Sequence, residues 1–146
     1  MRRASAILLS MLFALGGVAC SSGSDEDRLT EEEFVSQADA ICTDGNAAIE
    51  EAVDEMVADG GSPSDEEAEE LLDVILTNVR GQLDDIEELS PPEDLEADVD
   101  DLIATARDEA DALEDAGITA IESGEPPFTE SNEKAEALGL KACAED

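Results

Sequence analysis

Cysteine thiols and carboxylates are the side chains of this chain that could do chemistry. Its 146 residues include three cysteines and 41 aspartates and glutamates, but no histidine. Zinc, copper and haem sites draw mainly on histidine and cysteine ligands, and a general base near neutral pH is most often a histidine. We therefore expect no catalytic residue, no cofactor and no enzyme activity.

The carboxylates fall in runs, and carboxylate oxygens are the ligands that calcium prefers. None of the runs has the EF-hand spacing, with its central glycine and terminal glutamate. The loop from position 59 to 66 could hold Ca²⁺ weakly through Asp59, Asp65 and Glu66. Runs of charge are usually solvated faces, so we expect no metal site and keep weak cation binding as the alternative function.

The N-terminus has the pattern of an export signal. Met1-Arg2-Arg3 precedes an apolar run from Ala4 to Ala19, which is too short for a committed membrane span. The run ends in small residues directly before Cys20, and this ending looks like the lipobox of bacterial lipoproteins. The resemblance implies cleavage after Ala19 and lipidation of Cys20; a plain secretory signal with an incidental cysteine is the alternative.

Lipidation of Cys20 would leave Cys42 and Cys143 as an even pair. In an oxidising compartment two such cysteines should bond to each other. The bond would enclose about 100 residues, for which chain entropy gives a stabilisation of at most about 4.7 kcal/mol. A redox-active pair is the alternative, but the chain has no Cys-x-x-Cys spacing and no nearby base that would lower a thiol pKa. We predict a structural disulfide that ties the two ends of the fold together.

Apolar residues recur at helical spacing from Phe34 onward. The first helix is predicted from a capping box at Thr30–Glu33 to about Ala58, where a pair of glycines follows. The second helix is predicted behind a capping box at Ser64–Glu67. Its apolar face is the most regular in the chain and consists of Ala68, Leu72, Ile75, Val79, Leu83 and Ile86.

A third helix is predicted to start at the proline after Ser90, with a capping box at Ser90–Glu93, and to run to about Glu122. A break at Gly117 is the alternative. A short fourth helix is predicted to Leu138, with Thr129 as its N-cap and Gly139 as its C-cap. The fold class is therefore all-α: an antiparallel bundle of three long helices plus a short C-terminal helix, closed by one disulfide.

This interpretation divides the chain into four parts. Residues 1–19 form a lipoprotein signal peptide, residues 20–29 a flexible acidic tether, residues 30–143 the bundle and residues 144–146 a frayed tail. Within the bundle we expect structural roles for two further residues beside Cys42. Gly45, on the apolar face, marks either a tolerated defect or the close approach of another backbone, that of the segment carrying Cys143. Asn46 either hydrogen-bonds the backbone around Cys143 or is exposed and inert.

The charge limits the partners. The formal net charge is −34, and removal of residues 1–19, which hold two of the seven basic residues and no acidic one, would bring it to −36. Such a surface repels nucleic acid and anionic lipid headgroups. The membrane would therefore be a partner only through the N-terminal lipid anchor, and stable anchoring takes two or more acyl chains.

Two short segments carry a family resemblance. Ala38-Asp39-Ala40-Ile41-Cys42 with Asn46, and Leu138-Gly139-Leu140-Lys141-Ala142-Cys143, resemble paired motifs of small predicted lipoproteins of high-GC Gram-positive bacteria (actinobacteria). The resemblance implies a secreted helical domain with one bridge between its ends, and no catalytic residue carries over. We expect a lipid-anchored protein on the extracytoplasmic face of the cell membrane that acts by binding or structure, with an envelope protein as a candidate partner.

Overall fold

The computed structural model describes residues 28–58, 63–123 and 126–145. These residues form five α-helices and one 3-10 helix, without strands. The helices are α1 (Glu31–Val57), α2 (Asp65–Glu87), α3 (Glu96–Ala116), α4 (Ile118–Ser123) and α5 (Thr129–Leu138), followed by the C-terminal 3-10 turn (Ala142–Ala144). The predicted all-α bundle is confirmed. The signal peptide, Cys20 and most of the tether lie outside the described residues.

The first two helices begin at the predicted capping boxes. Glu33 N donates to Thr30 Oγ1 at 3.3 Å, and Thr30 N donates to Glu33 Oε2 at 3.0 Å. The same two bonds join Ser64 and Glu67, at 3.3 and 2.7 Å. The backbone hydrogen bond, and after it the side-chain one, lowers the pKa of each glutamate because both favour the ionised carboxylate.

The predicted start of the third helix is wrong. α3 begins at Glu96, and no side chain caps it. Leu29 N donates to Ser90 O at 2.8 Å, and Arg28 Nη1 donates to Pro91 O at 2.9 Å. These bonds engage carbonyls of the α2–α3 connection, which stays non-helical until a turn at residues 93–95 leads into α3. Arg28 and Leu29, assigned by the sequence to the tether, thus belong to the folded domain.

Gly117 breaks the third helical segment, as the alternative interpretation held. Its φ of 61° lies in the left-handed region, which favours glycine, and α4 starts at the next residue. Uninterrupted helix to Glu122 is therefore wrong. The predicted frayed tail is also shorter than expected, because Ala144 lies in the 3-10 turn and packs on the core.

The N-cap predicted for α5 is wrong by one residue. Thr129 is the first helical residue, Phe128 precedes it, and the Thr129 hydroxyl donates to Pro126 O. The free N–H groups of this helix end are capped from another helix. The Glu109 carboxylate of α3 accepts from Glu130 N at 2.9 Å and from Ser131 N at 3.1 Å. Gly139 ends α5 in the left-handed conformation, as predicted.

The elements are arranged as a ring. α2 packs between α1 and α3, α3 packs on α5, and the C-terminal 3-10 turn contacts both α5 and α1. Two buried clusters fill the interior. The larger consists of Phe34, Ala38, Cys42, Leu83, Ile86, Val99, Leu102, Ile103, Ala106, Ala135 and Leu140. The smaller consists of Leu72, Leu76, Ala110 and Leu113.

None of the helices in the described segments combines the length and the apolar character needed to cross a bilayer.

Candidate functional site

The lengths of the helices leave space inside the ring. At 1.5 Å per residue, α1 is about 40 Å long and α5 about 15 Å, so the C-terminal segment, whose 3-10 turn contacts α1, covers only part of α1. The buried residues of α1 are accordingly Phe34, Ala38 and Cys42, all in its first half. Farther along, Ile49 and Val53 continue the apolar face but are only half-buried.

An apolar cavity of about 910 Å³ occupies this space and is partly open to solvent. The volume is near the upper end of the ~300–1,000 Å³ typical of small-molecule sites. Its wall comes from α1, α2, α3, α4 and α5 and from the Pro126–Phe128 turn. The aliphatic and aromatic side chains of the wall include Ile49, Val53, Leu71, Ile75, Val79, Leu83, Ile86, Leu102, Leu113 and Phe128.

A disulfide closes the ring at one end of the cavity. Cys42 of α1 and Cys143 of the 3-10 turn are bonded, with their Cα atoms 5.0 Å apart and 101 positions apart in sequence. This confirms the predicted bridge. Asp39 Oδ1 accepts from Ala142 N at 2.9 Å, and Asn46 Nδ2 donates to Ala142 O at 2.9 Å. We call these five residues the disulfide clasp.

Both segments that carry the family resemblance meet in the disulfide clasp. Asn46 makes the backbone hydrogen bond that was one of its two expected roles. Asp39 was not singled out for a role by the sequence, although its position could have indicated one. Asp39, Cys42 and Asn46 follow the i, i+3, i+7 spacing of one helical face, so a carboxylate and an amide flank the cysteine on the side that faces Cys143.

The atoms nearest the Cβ position of Gly45 belong to a side chain of α2, whereas the sharper expectation was the close approach of the C-terminal backbone. A Cβ atom at position 45 would lie 2.7 Å from Gln82 Cγ and would overlap the Gln82 amide. The glycine therefore makes room for Gln82 at the α1–α2 contact. Sequence reasoning missed Gln82, which is seven positions after Ile75 and three after Val79 and so lies at the edge of the apolar face of α2.

Gln82 carries an unusual polar atom. Its Nε2 is buried and has no hydrogen-bond partner in the described structure, and the residue lines the cavity. Buried donors are nearly always paired, and leaving one unpaired costs about 1–3 kcal/mol. Because this Nε2 is inaccessible to solvent and packs against Gly45, it lies in the α1–α2 contact and does not face the cavity.

The charged residues around the cavity are all acidic. Glu50, Asp54 and Glu145 belong to its lining and are exposed, and no lysine or arginine does among the described residues. Ser131, a buried residue of the same lining, donates its hydroxyl to Phe128 O at 3.2 Å. The potential at the opening is therefore negative and disfavours anions.

No metal-binding group was found in the described segments, where no three carboxylates or thiols converge on one point. The calcium loop suggested by the sequence is only partly described. Asp65 and Glu66 are the exposed first residues of α2, and Asp59 lies outside the described residues, as does the predicted lipidation site Cys20.

Comparisons with known proteins do not place the chain in a group. No protein-family model, no curated protein and no solved structure matches it.

Proposed function

We propose that this protein is a lipid-anchored binding protein of the cell envelope, which holds an apolar ligand in the cavity inside its helix ring on the extracytoplasmic side of the membrane. The observation that carries the proposal is the cavity itself. A cavity of about 910 Å³ with a mostly aliphatic wall is expensive to maintain in a small bundle, because interiors normally pack to the density of organic crystals.

The chemistry of the lining supports binding rather than catalysis. The polar side chains of the lining include the amides of Gln82 and of Asn46, which belongs to the disulfide clasp. An amide neither gains nor loses a proton near neutral pH, and the chain has no histidine to serve as a base. Such groups orient a ligand but do not transform it.

The anchor is supported by the N-terminal pattern and by the charge. Because a chain at −36 is repelled by anionic headgroups, a lipid on Cys20 is the attachment consistent with the sequence. Cys20 lies eight positions before Arg28, and eight residues span at most about 29 Å. A lipid on Cys20 would therefore keep the cavity close enough to the membrane to exchange apolar molecules with it.

The two parts of the proposal are tested separately. Cys20→Ser should move the protein from the membrane fraction to the soluble fraction, and retention of an uncleaved mutant in the membrane contradicts the anchor. Native mass spectrometry of the wild-type protein extracted from its own membrane should show a population heavier by one small molecule.

Val53→Trp, which places an indole in the cavity, should lose that population. The matched control is Val57→Trp, one turn farther along α1, where the valine is 44% exposed and outside the cavity lining. An adduct that survives Val53→Trp, or no adduct in the wild-type protein, contradicts the binding function.

A further inference from the structure

We propose that the cavity is a site for a cationic amphiphile: an alkyl or acyl chain lies in the cavity, and its ammonium headgroup lies beside Glu50 and Asp54 of α1. An alkyl ammonium is the simplest member of this ligand class. The inference rests on the proposed function and specifies its ligand. The apolar cavity is the site, and the two carboxylates select among the apolar molecules that fit in it.

The first argument is the placement of apolar and acidic residues along α1. Ile49 and Val53 belong to the apolar wall, and each is followed directly by an acidic residue that also lines the cavity, Glu50 or Asp54. The two apolar residues are half-buried, whereas the two acidic residues are exposed. Because residues four positions apart are neighbours on a helix surface, the lining contains an apolar pair beside an acidic pair. This arrangement matches a ligand with an apolar chain and a cationic end.

The second argument is the length of the cavity. Its lining extends from Cys42 to Asp54 on α1 and from Leu71 to Ile86 on α2. At 1.5 Å per residue these stretches are about 18 and 22 Å long. An apolar space that follows two helices over this distance suits an extended chain of methylenes. Phe128 is the aromatic residue of the lining, so the described wall offers a planar ring system little to stack on.

The third argument is that the acidic residues of the lining have no counter-charge within the described chain. Five basic residues follow position 19, namely Arg28, Arg80, Arg107, Lys134 and Lys141. None of them lines the cavity, and the first four pair with carboxylates of α2, α3 and α5.

Glu50, Asp54 and Glu145, in contrast, take part in none of the ion pairs found among the described residues. Glu50 and Asp54 also repel each other, since like charges four positions apart destabilise a helix. A ligand cation at this place would relieve the repulsion and supply the missing counter-charge. The same carboxylates repel a carboxylate or phosphate headgroup, so we expect cationic, uncharged and anionic amphiphiles to bind in that order of affinity.

The test compares three amphiphiles with ten-carbon chains below their aggregation limits: decyltrimethylammonium, 1-decanoylglycerol and decanoate. Each is titrated at constant ionic strength into the full chain carrying Cys20→Ser, and isothermal titration calorimetry gives affinity and stoichiometry. We expect one decyltrimethylammonium per chain, bound about three- to tenfold more tightly than 1-decanoylglycerol, because exposed ion pairs contribute modestly. Decanoate should bind most weakly. Tetramethylammonium, which has the charge without the chain, should show no binding at the same concentrations.

A matched pair of double mutants separates the charge at the cavity from the overall charge. Glu50→Gln with Asp54→Asn should remove most of the preference for the cation and leave the affinity for 1-decanoylglycerol unchanged. Glu51→Gln with Glu55→Gln removes the same charge at the same spacing of α1, from exposed positions outside the lining, and should keep most of the preference. If Glu50 and Asp54 had a purely structural role, their replacement would change the binding of both ligands alike.

Val53→Trp should abolish binding of decyltrimethylammonium, and Val79→Phe is the second cavity-filling variant if the first does not fold. Binding that survives the filling of the cavity overturns the site. Equal or tighter binding of 1-decanoylglycerol or decanoate, or an equal loss of preference in the two double mutants, overturns the ligand class. In that case an adduct on the protein from its own membrane still supports the proposed function. Binding of decyltrimethylammonium by the Cys20→Ser chain, lost on filling the cavity, supports the ligand class even if the anchor is wrong.

Discussion

Three side chains of α1 hold the C-terminal end of the chain in place, each through a different bond: Asp39, Cys42 and Asn46. The disulfide fixes the distance between α1 and the chain end, and the two hydrogen bonds to Ala142 fix its orientation. They also satisfy an N–H and a C=O that a short 3-10 turn leaves free. At this scale, the position of the chain end is determined by three side chains on one helical face.

The cysteine pairing and the Asn46 contact could be anticipated from the sequence, because cysteine parity and helical spacing are local properties. The partner of Gly45 could not. A glycine on an apolar face indicates that something approaches closely, but which element approaches depends on the rotation of α1 against α2. That rotation is set by tertiary packing, which no local pattern records.

Gly45 and Gly81 give a matched pair for the α1–α2 contact. Both are helical, but a Cβ at Gly81 would meet nothing within 4 Å, whereas at Gly45 it would overlap Gln82. Gly81→Ala should raise the free energy of unfolding by about 0.5–1 kcal/mol through helix propensity. Gly45→Ala should gain clearly less or lose stability, because the Gln82 side chain must move.

The measurement is urea unfolding of the single mutants and of Gly45→Ala in a Gln82→Ala background. Removing the Gln82 side chain should restore the gain expected of alanine. Equal gains at both glycines in the wild-type background would show that the close contact with Gln82 is absent.

At the scale of elements, the sequence predicted a helix start correctly where the capping groups are close in sequence and incorrectly where they are distant. The starts of α1 and α2 follow from capping boxes that involve residues three apart in sequence. The starts of α3 and α5 depend on groups far away: Arg28 and Leu29 occupy the carbonyls before α3, and Glu109 caps α5. A capping motif predicts a helix start only where no distant group binds the same backbone.

The capping boxes give a pH dependence with a definite sign. The pKa values of Glu33 and Glu67 are lowered in the folded state, first by the backbone hydrogen bonds of Thr30 and Ser64. A carboxyl group whose pKa is lower in the folded than in the unfolded protein stabilises the fold at pH values above the unfolded pKa, near 4.5. This stabilisation is lost as the pH falls through the pKa of the folded state. Glu33→Gln and Glu67→Gln should therefore reduce the loss of stability between about pH 5 and pH 3.

Denaturant midpoints at pH 7, 5 and 3 check this expectation. Glu32→Gln is the control, since it removes a charge from the same first turn without removing a capping bond. A mutant whose acid sensitivity equals that of the wild-type protein would disprove the contribution of the caps.

The cap from α3 to α5 is tested by Glu109→Gln. Neutral glutamine has one amide oxygen in place of the two carboxylate oxygens that accept from Glu130 N and Ser131 N. Loss of a charged acceptor at a helix N-terminus should destabilise the protein by about 1 kcal/mol, measured by thermal unfolding. Asp108→Asn, an exposed neighbour on the same helix, should have no comparable effect, and equal effects of the two mutations would rule out the cap.

At the scale of the whole molecule, charge is distributed unevenly over the ring. Arg80 and Arg107 join α2 to α3, pairing with Asp111 and Glu114 and with Asp84 and Glu87, respectively. Lys134 joins α5 to α3 through Asp101. α1 has nine acidic residues and no basic one, and it takes part in none of the ion pairs found among the described residues. Apolar contacts and the disulfide clasp therefore hold α1 against repulsion from the rest of the chain.

This distribution predicts a response to salt that also distinguishes the proposed function from cation binding. Added salt should screen the repulsion between the negative charges of α1 and those of the other helices and so stabilise the fold progressively. The Debye length falls from about 30 Å at 0.01 M to about 3 Å at 1 M salt. Melting temperatures should rise without saturation and to the same extent in NaCl, MgCl₂ and CaCl₂ at equal ionic strength.

A dedicated calcium site would instead stabilise by RT ln(1 + [L]/Kd) and saturate at a fixed stoichiometry. The control is Asp65→Asn with Glu66→Gln, which removes two of the three candidate loop ligands and should leave the calcium response unchanged. A saturable gain of several kcal/mol at micromolar Ca²⁺, lost in that double mutant, would make cation binding the function to pursue.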